Sequence, residues 1–199
     1  MKQSLYHTTL IFFFTFSLIT NCSCQSNSKK EKGIQNEKRV FHIKPKLDTL
    51  LNDFAKPIGY VNDYGGLYTS EQVFEMDSLI FDFESKSSIQ LVVVTFDSIM
   101  VKFSEIDEAT KTIGNGWKVG GDSSKGIVIG ISKPYKTIRI QNGKYVQKLL
   151  SDSKTKEIID SAFIPEFRND HYFEGTLMGL EALMKILPIA LAEKSKVEF

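Results

Sequence analysis

Three aspartates in glycine- or serine-rich surroundings are the first residues to weigh for chemistry. Asp63 lies in Val61-Asn62-Asp63-Tyr64-Gly65-Gly66, Asp122 between Gly114 and Gly126, and Asp152 in Ser151-Asp152-Ser153. Loop carboxylates, helped by backbone carbonyls of glycine-rich turns, are hard oxygen ligands suited to Ca²⁺ or Mg²⁺. A metal-held water beside them is one route to phosphate-ester hydrolysis. Each also has a plainer reading: Asp63 as a turn residue, Asp122 as loop solvation, Asp152 as a helix N-cap.

Other chemistries are constrained by residue types. Both cysteines, Cys22 and Cys24, precede the region that can fold, so thiolate catalysis, sulfur-bound zinc and disulfides are excluded there. His171 is the sole histidine after His7 and His42; nothing near it resembles a nucleophile elbow, and it reads as a surface residue between two helices. Ser151-Asp152-Ser153-Lys154 matches S-x-x-K by letters alone, without the partner motifs of penicillin-binding enzymes. The Gly114 to Gly126 segment lacks the G-K-[ST] order of a phosphate-cradling loop and follows a helix instead of opening one. Its Trp117 is a packing anchor or, if exposed, a contact for a partner protein, a role for which Arg139 is the second candidate.

The chain's N-terminus reads as an export segment over residues 1–21: Lys2, then an apolar run from Leu10 to Ile19, then small or polar residues. The run is short for a bilayer span. Ile19-Thr20-Asn21-Cys22 resembles a bacterial lipobox, with Asn21 where Gly, Ala or Ser is usual, and makes Cys22 the expected lipidation site; a plain secretory signal cut nearby is the alternative. Residues 22–46 form a polar tether, and its stretch 25–46 holds seven basic against two acidic residues. Beside a lipid anchor such a leash either lies on anionic head groups or serves as a solvated spacer. Residues 47–199 carry 17 basic and 22 acidic residues, a net charge of −5, which argues against a nucleic-acid partner.

The elements that must position the candidate residues follow a lead-in over 47–58. Thr69 with Gln72 forms a capping box, and Val73, Met76, Leu79, Ile80 and Phe83 recur at helical spacing behind it. Ile89 to Phe96 is an apolar run without alternation, the mark of a strand covered on both faces. Ser104 to Ile113 is a second helix, Gly126 to Ser132 another buried strand, and Lys136 to Gln141 an alternating one. Two closing helices present Ile158, Ile159, Ala162 and Phe163, then Phe173, Leu177, Leu180, Met184 and Leu187, with Pro188 limiting the second. Strands separated by helices and then an adjacent strand pair imply an α/β protein: a three-layer α/β/α sandwich around a small mixed central sheet, over residues 59–190, with 191–199 as a flexible tail.

Four stretches in this order resemble the TPM domain family: Tyr60-Val61-Asn62-Asp63-Tyr64-Gly65-Gly66-Leu67; Gln90-Leu91-Val92-Val93-Val94-Thr95; Gly116-Trp117-Lys118-Val119-Gly120 with Gly126-Ile127-Val128-Ile129; and Ile164-Pro165-Glu166-Phe167-Arg168 with Asp170, Tyr172 and Gly175. The resemblance implies an α/β/α sandwich at a membrane or in an exported compartment. Members have been linked to acid phosphatase activity, calcium binding, repair of a photosynthetic complex and modulation of a receptor channel, so fold and function separate here. Where many members carry Asp-Asn before the glycine, this chain has Ser124-Lys125-Gly126, and Gln141 and Gln147 replace residues that are commonly acidic. A lysine at that place repels a cation, so any Ca²⁺ or Mg²⁺ site is expected to be weak.

The expected function is that of an envelope-anchored module that binds a membrane or envelope protein or helps maintain a membrane complex, with a weakened divalent-cation site. A metal-dependent acid phosphatase using Asp63, Asp122 and Asp152, and a calcium-tuned binding module, are the alternatives. Replacing Cys22 by serine is expected to move the protein from the membrane to the soluble fraction of fractionated cells; unchanged partition would remove the lipid anchor.

Overall fold

The computed structural model describes residues 56–197. The export segment, Cys22 and the basic tether lie outside the described residues. Four strands form one sheet in the order β1 (Val61–Asp63), β2 (Gln90–Thr95), β3 (Gly126–Ser132), β4 (Thr137–Asn142). β1 and β3 pair parallel to β2, with Val61 opposite Val93 and Val92 opposite Val128. β4 returns antiparallel, placing Ile140 opposite Ile129. Leu91 to Phe96 and all of β3 are buried, as continuous apolar runs require when both faces are covered.

Alternation along the strands divides the core in two. Leu91, Val93, Ile127, Ile129 and Ile131 meet Met76 and Ile80 of α1 (Ser70–Ser87) and Leu180, Leu183 and Leu187 of the last helix. Val92, Val94 and Val128 meet Ile106, Ala109 and Ile113 of α2 (Ile106–Gly116). The expected three-layer sandwich with a small mixed sheet is therefore the observed one.

α1 and α2 lie on opposite faces although both crossovers step the same way through β1, β2 and β3. One of the two crossovers must then be left-handed, against a strong right-handed preference. The consequence is local: the chain leaving β1 turns toward one face and the chain leaving β2 toward the other. Between such divergent connections, outside the carboxyl ends of the strands, an open α/β sheet has its natural crevice.

The local signals hold at α1. Thr69 Oγ1 accepts from the Gln72 N–H at 3.3 Å while Gln72 Oε1 accepts from the Thr69 N–H at 2.9 Å. α2 opens two residues later than its pattern suggests, because Phe103–Glu105 form a 3-10 turn first, and it continues through Gly114 to Gly116.

The closing segment differs more. α3 (Asp152–Ile158), a π-helical turn over Ile159–Phe163 and α4 (Ile164–Phe167) make one bent helical run. α5 then extends from Tyr172 to Val197 with Pro188 inside it, so residues 191–197, expected as a flexible tail, are helical. Proline removes one N–H donor, but the ring at 188 faces outward while its neighbour Leu187 is fully buried, and that packing carries the helix through. Residues Tyr172–Ser195 are long and apolar enough, by length and composition, to cross a membrane; Leu180, Leu183 and Leu187 are buried within this domain.

Gly175 and Gly179, one turn apart on α5, receive the rings of Phe167 and Phe163, which are themselves four residues apart. A Cβ on Gly179 would stand 2.0 Å from the Phe163 ring, and one on Gly175 2.7 Å from that of Phe167. Overpacking of this kind costs about 1–3 kcal/mol. Gly179→Ala is expected to lower the unfolding free energy by that amount, read as a fall in the urea midpoint with the slope unchanged.

Candidate functional site

Asp63 closes β1 and Thr95 closes β2, and the two residues are paired in register with side chains on the same face. The Thr95 hydroxyl donates to Asp63 Oδ1 at 2.5 Å and accepts from the Gly65 N–H at 2.8 Å. Asp63 Oδ1 also accepts from the Leu67 N–H, and Oδ2 from the Tyr68 N–H, both at 2.9 Å. The loop from Tyr64 to Tyr68 is thus wound around one carboxylate, the turn reading of this residue carried further than a single turn. Thr95 carries no sequence signal beyond a lone hydroxyl inside an otherwise apolar run.

Tyr68 extends the knot into the helical layer. Its hydroxyl lies 2.8 Å from Thr176 Oγ1, and because that threonine donates to the Tyr172 carbonyl, the phenol is the donor between them. Burial pushes the Tyr68 phenol well above the usual tyrosine range, with the Asp63 charge adding to the effect.

The loop borders a crevice of about 710 Å³ at the carboxyl ends of the parallel strands. Gly65 and Gly66 form one wall, Lys133 and Lys136 of the β3–β4 turn a second, and His171 and Glu174 at the start of α5 the third. Each wall holds one left-handed residue: Gly66 at φ 61°, Lys136 at 46° and Asp170 at 62°. Leu67, Pro134, Tyr172 and Phe173 supply apolar lining.

Charges of both signs alternate around the opening. Lys133 Nζ lies 4.0 Å from the Asp170 carboxylate and 5.2 Å from the Tyr172 ring centre. His171, exposed as its position between helices suggests, has Nδ1 3.1 Å from Glu166 Oε2. Mixed charges with an apolar lining offer a polypeptide segment donors, acceptors and a surface to bury. Lys133, Lys136 and Glu174 carried no sequence signal beyond the Pro134 turn, because their walls are far apart along the chain.

The other two aspartates lie at the opposite edge of the sheet. Asp122 is exposed in the turns before β3. Asp152 is the first residue of α3, and the N-cap is its neighbour Ser151, whose side chain accepts from the Lys154 N–H at 3.3 Å. The Asn142 amide donates to Thr155 Oγ1 at 2.9 Å, fixing α3 to the end of β4. The six residues of β2 separate this edge from Asp63 by roughly 16 Å at ~3.3 Å per residue. The structure therefore does not bring Asp63, Asp122 and Asp152 together, and among the described residues no group of three or more His, Cys, Asp or Glu can hold a metal ion. Lys125 at the same edge has its ammonium 4.9 Å from the Tyr145 ring centre.

Trp117 and Arg139 do not form one patch. Trp117 caps the C-terminal end of α2, half-buried against the Val92 cluster, and lines a groove of about 260 Å³ with Ile58 and Tyr60. The Arg139 guanidinium lies 3.5 Å from Asp107 in the first turn of α2, about 15 Å away along the helix at 1.5 Å per residue.

A family model described as the TPM domain matches residues 61–186. No curated protein matches the chain. Among solved structures, the N-terminal domain of a protein from P. gingivalis is similar at 24% identity and a TM-score of 0.60, over 73% of this chain and 90% of that one. The N-terminal domain of a protein from Corynebacterium glutamicum is similar at 15% identity and a TM-score of 0.50, over 65% and 80%. These two likenesses show the fold.

Because Tyr68 stays protonated in the folded protein at pH values where the unfolded chain has lost that proton, stability is full below about pH 10 and falls as pH rises beyond it. Urea unfolding from pH 8 to 11 is expected to show that fall, and Tyr68→Phe to make it shallower, the raised phenols of Tyr60, Tyr64 and Tyr172 supplying the remainder.

Proposed function

Because the chain belongs to the TPM domain family, we propose that it works as an exported, lipid-tethered binding module that holds a polypeptide segment of a membrane or envelope protein in the crevice beyond β1 and β2. The observation that carries this reading is the crevice itself: three walls from distant parts of the chain with apolar lining and charges of both signs, the first of them shaped by Asp63. That carboxylate is already engaged by two backbone N–H groups and a hydroxyl, so its role is to shape the wall. The export segment, Cys22 and the basic tether support placement in the envelope, and the net charge of −5 over residues 47–199 disfavours nucleic acid.

The cation site implied by the resemblance is weakened in this reading. Lys125 stands where many members have an amide or acid, and its charge is directed to the Tyr145 ring. Any Ca²⁺ or Mg²⁺ would find Asp122 and Asp152 at that edge without Asp63.

A photo-crosslinking side chain at Glu174, in the full chain in native membranes, is expected to capture a defined protein, whereas the same group at Asp152 is not. Equal capture at both positions, or none at Glu174, would sink the proposal. Saturable Ca²⁺-induced NMR shifts at Asp122 and Asp152 would favour a calcium-tuned module instead. Phosphomonoester turnover lost in a folded Asp63→Asn variant would favour a phosphatase.

A further inference from the structure

The loop that follows β2 emerges at the carboxyl ends of the parallel strands, the same end as the crevice, and meets the β3–β4 turn there. It leaves Ile99 89% exposed and Phe103 58% exposed, two large apolar side chains four residues apart. Phe103 meets Tyr135 edge to face, with ring centres 5.9 Å apart and planes at 64°. Tyr135 stands between Pro134 and Lys136, both of which line the crevice. The exposed apolar surface and the crevice are therefore neighbours across a single turn.

The loop is braced so that these side chains face water. Asp97 Oδ1 accepts from the Ile99 and Met100 N–H groups, both at 2.8 Å, and Glu105 Oε2 accepts from the Lys102 N–H at 3.2 Å. Both carboxylates of the loop are thus turned to its own backbone. Val101, between the two exposed residues, is buried in the α2-side core and anchors the loop. A single exposed apolar residue needs no explanation, but here two stand on one pre-formed loop beside an aromatic neighbour, and pre-formed contacts lose little freedom on binding. Lys136 holds a left-handed backbone, φ 46°, that glycine or asparagine adopts more readily, so the shape of the turn does not account for a lysine there. Among the described residues no ion pair engages Lys136.

We infer that the segment held in the crevice continues over the β3–β4 turn and seats a large apolar side chain against Ile99 and Phe103, with a nearby carboxylate facing Lys136. Resting on the crevice reading above, this names the chemistry of the partner: an extended polypeptide in which Asp or Glu lies within a few positions of a Phe, Leu, Ile or Met. Burying Ile99 and Phe103 supplies the affinity, and Lys136 selects for the acidic neighbour. Exposed Ile and Phe beside a lysine also suit a lipid surface, but Asp170 and Glu174 on the crevice wall repel anionic head groups, and the polypeptide is the occupant that fits both surfaces.

The test uses the full chain carrying Cys22→Ser, so that no covalent lipid intervenes. Panning a displayed library of random linear peptides is expected to enrich sequences that set Asp or Glu close to a large apolar residue. A fluorescein-labelled synthetic copy of the enriched sequence is then the probe, read by fluorescence anisotropy. The double change Ile99→Ser and Phe103→Ser is expected to weaken its binding about tenfold or more, and Lys136→Gln to weaken it severalfold, with circular dichroism unchanged in both. Glu174→Trp narrows the crevice and reports on the crevice reading separately. Binding lost in Glu174→Trp but kept in the Ile99 and Phe103 variant overturns the inference and leaves the crevice reading standing. Binding lost in the loop variant alone overturns the crevice reading and the continuity claimed here with it. No enriched sequence, or binding unchanged in every variant, overturns both. If phosphatidylglycerol vesicles retain the parent and release the loop variant while peptide affinity is unchanged, the loop contacts lipid and the inference is overturned.

Discussion

The carboxyl-terminal end of the parallel strands is organised by one carboxylate. Asp63 accepts hydrogen bonds from the Leu67 and Tyr68 backbones and from Thr95, and hydrogen bonds to a charged acceptor contribute about 1.5–3 kcal/mol each. The threonine hydroxyl is tied in turn to the Gly65 backbone. This cluster joins the ends of two parallel strands and sets the path of the loop that forms one wall of the crevice. Tyr68 passes the constraint on, through Thr176, to the first turns of α5 that form another wall.

The strand connections supply the space that the carboxylate shapes. A sheet whose successive crossovers fell on one face would have its loops stacked together on that face. Here α1 and α2 lie on opposite faces, the loops diverge, and a gap opens beyond β1 and β2. The β3–β4 turn and the start of α5 close that gap into a crevice instead of leaving a flat edge. The layer beneath is fixed by the glycines of α5, which admit the Phe163 and Phe167 rings where any side chain would collide.

The two ends of the sheet carry different chemistry. The crevice end mixes Lys133, Lys136 and His171 with Asp170 and Glu174, a pattern that suits hydrogen bonding to an extended chain. The opposite end places Lys125 and Lys194 on one tyrosine beside an apolar groove. Asp63 belongs to the first end and Asp122 and Asp152 to the second, so a role that requires all three in contact with one ion is not available to this arrangement of strands.

The sequence by itself determined what depends on neighbours a few residues apart. The Thr69–Gln72 capping box, the apolar runs of β2 and β3 and the alternation of β4 are local, and each appears in the structure close to its expected bounds. The order of four motifs was enough to indicate the family, because together they span most of the domain. Pro188 shows the limit of local rules: a residue that ends helices in isolation lies inside one here, beside the fully buried Leu187. Only the tertiary structure decided what Asp63 does and which residues share a site. Thr95 is thirty-two positions from Asp63, and His171 more than a hundred from Gly65, so their meeting rests on parallel register and on the face each crossover takes. Those are set by burying apolar surface across the whole chain, a balance that no short stretch of sequence records.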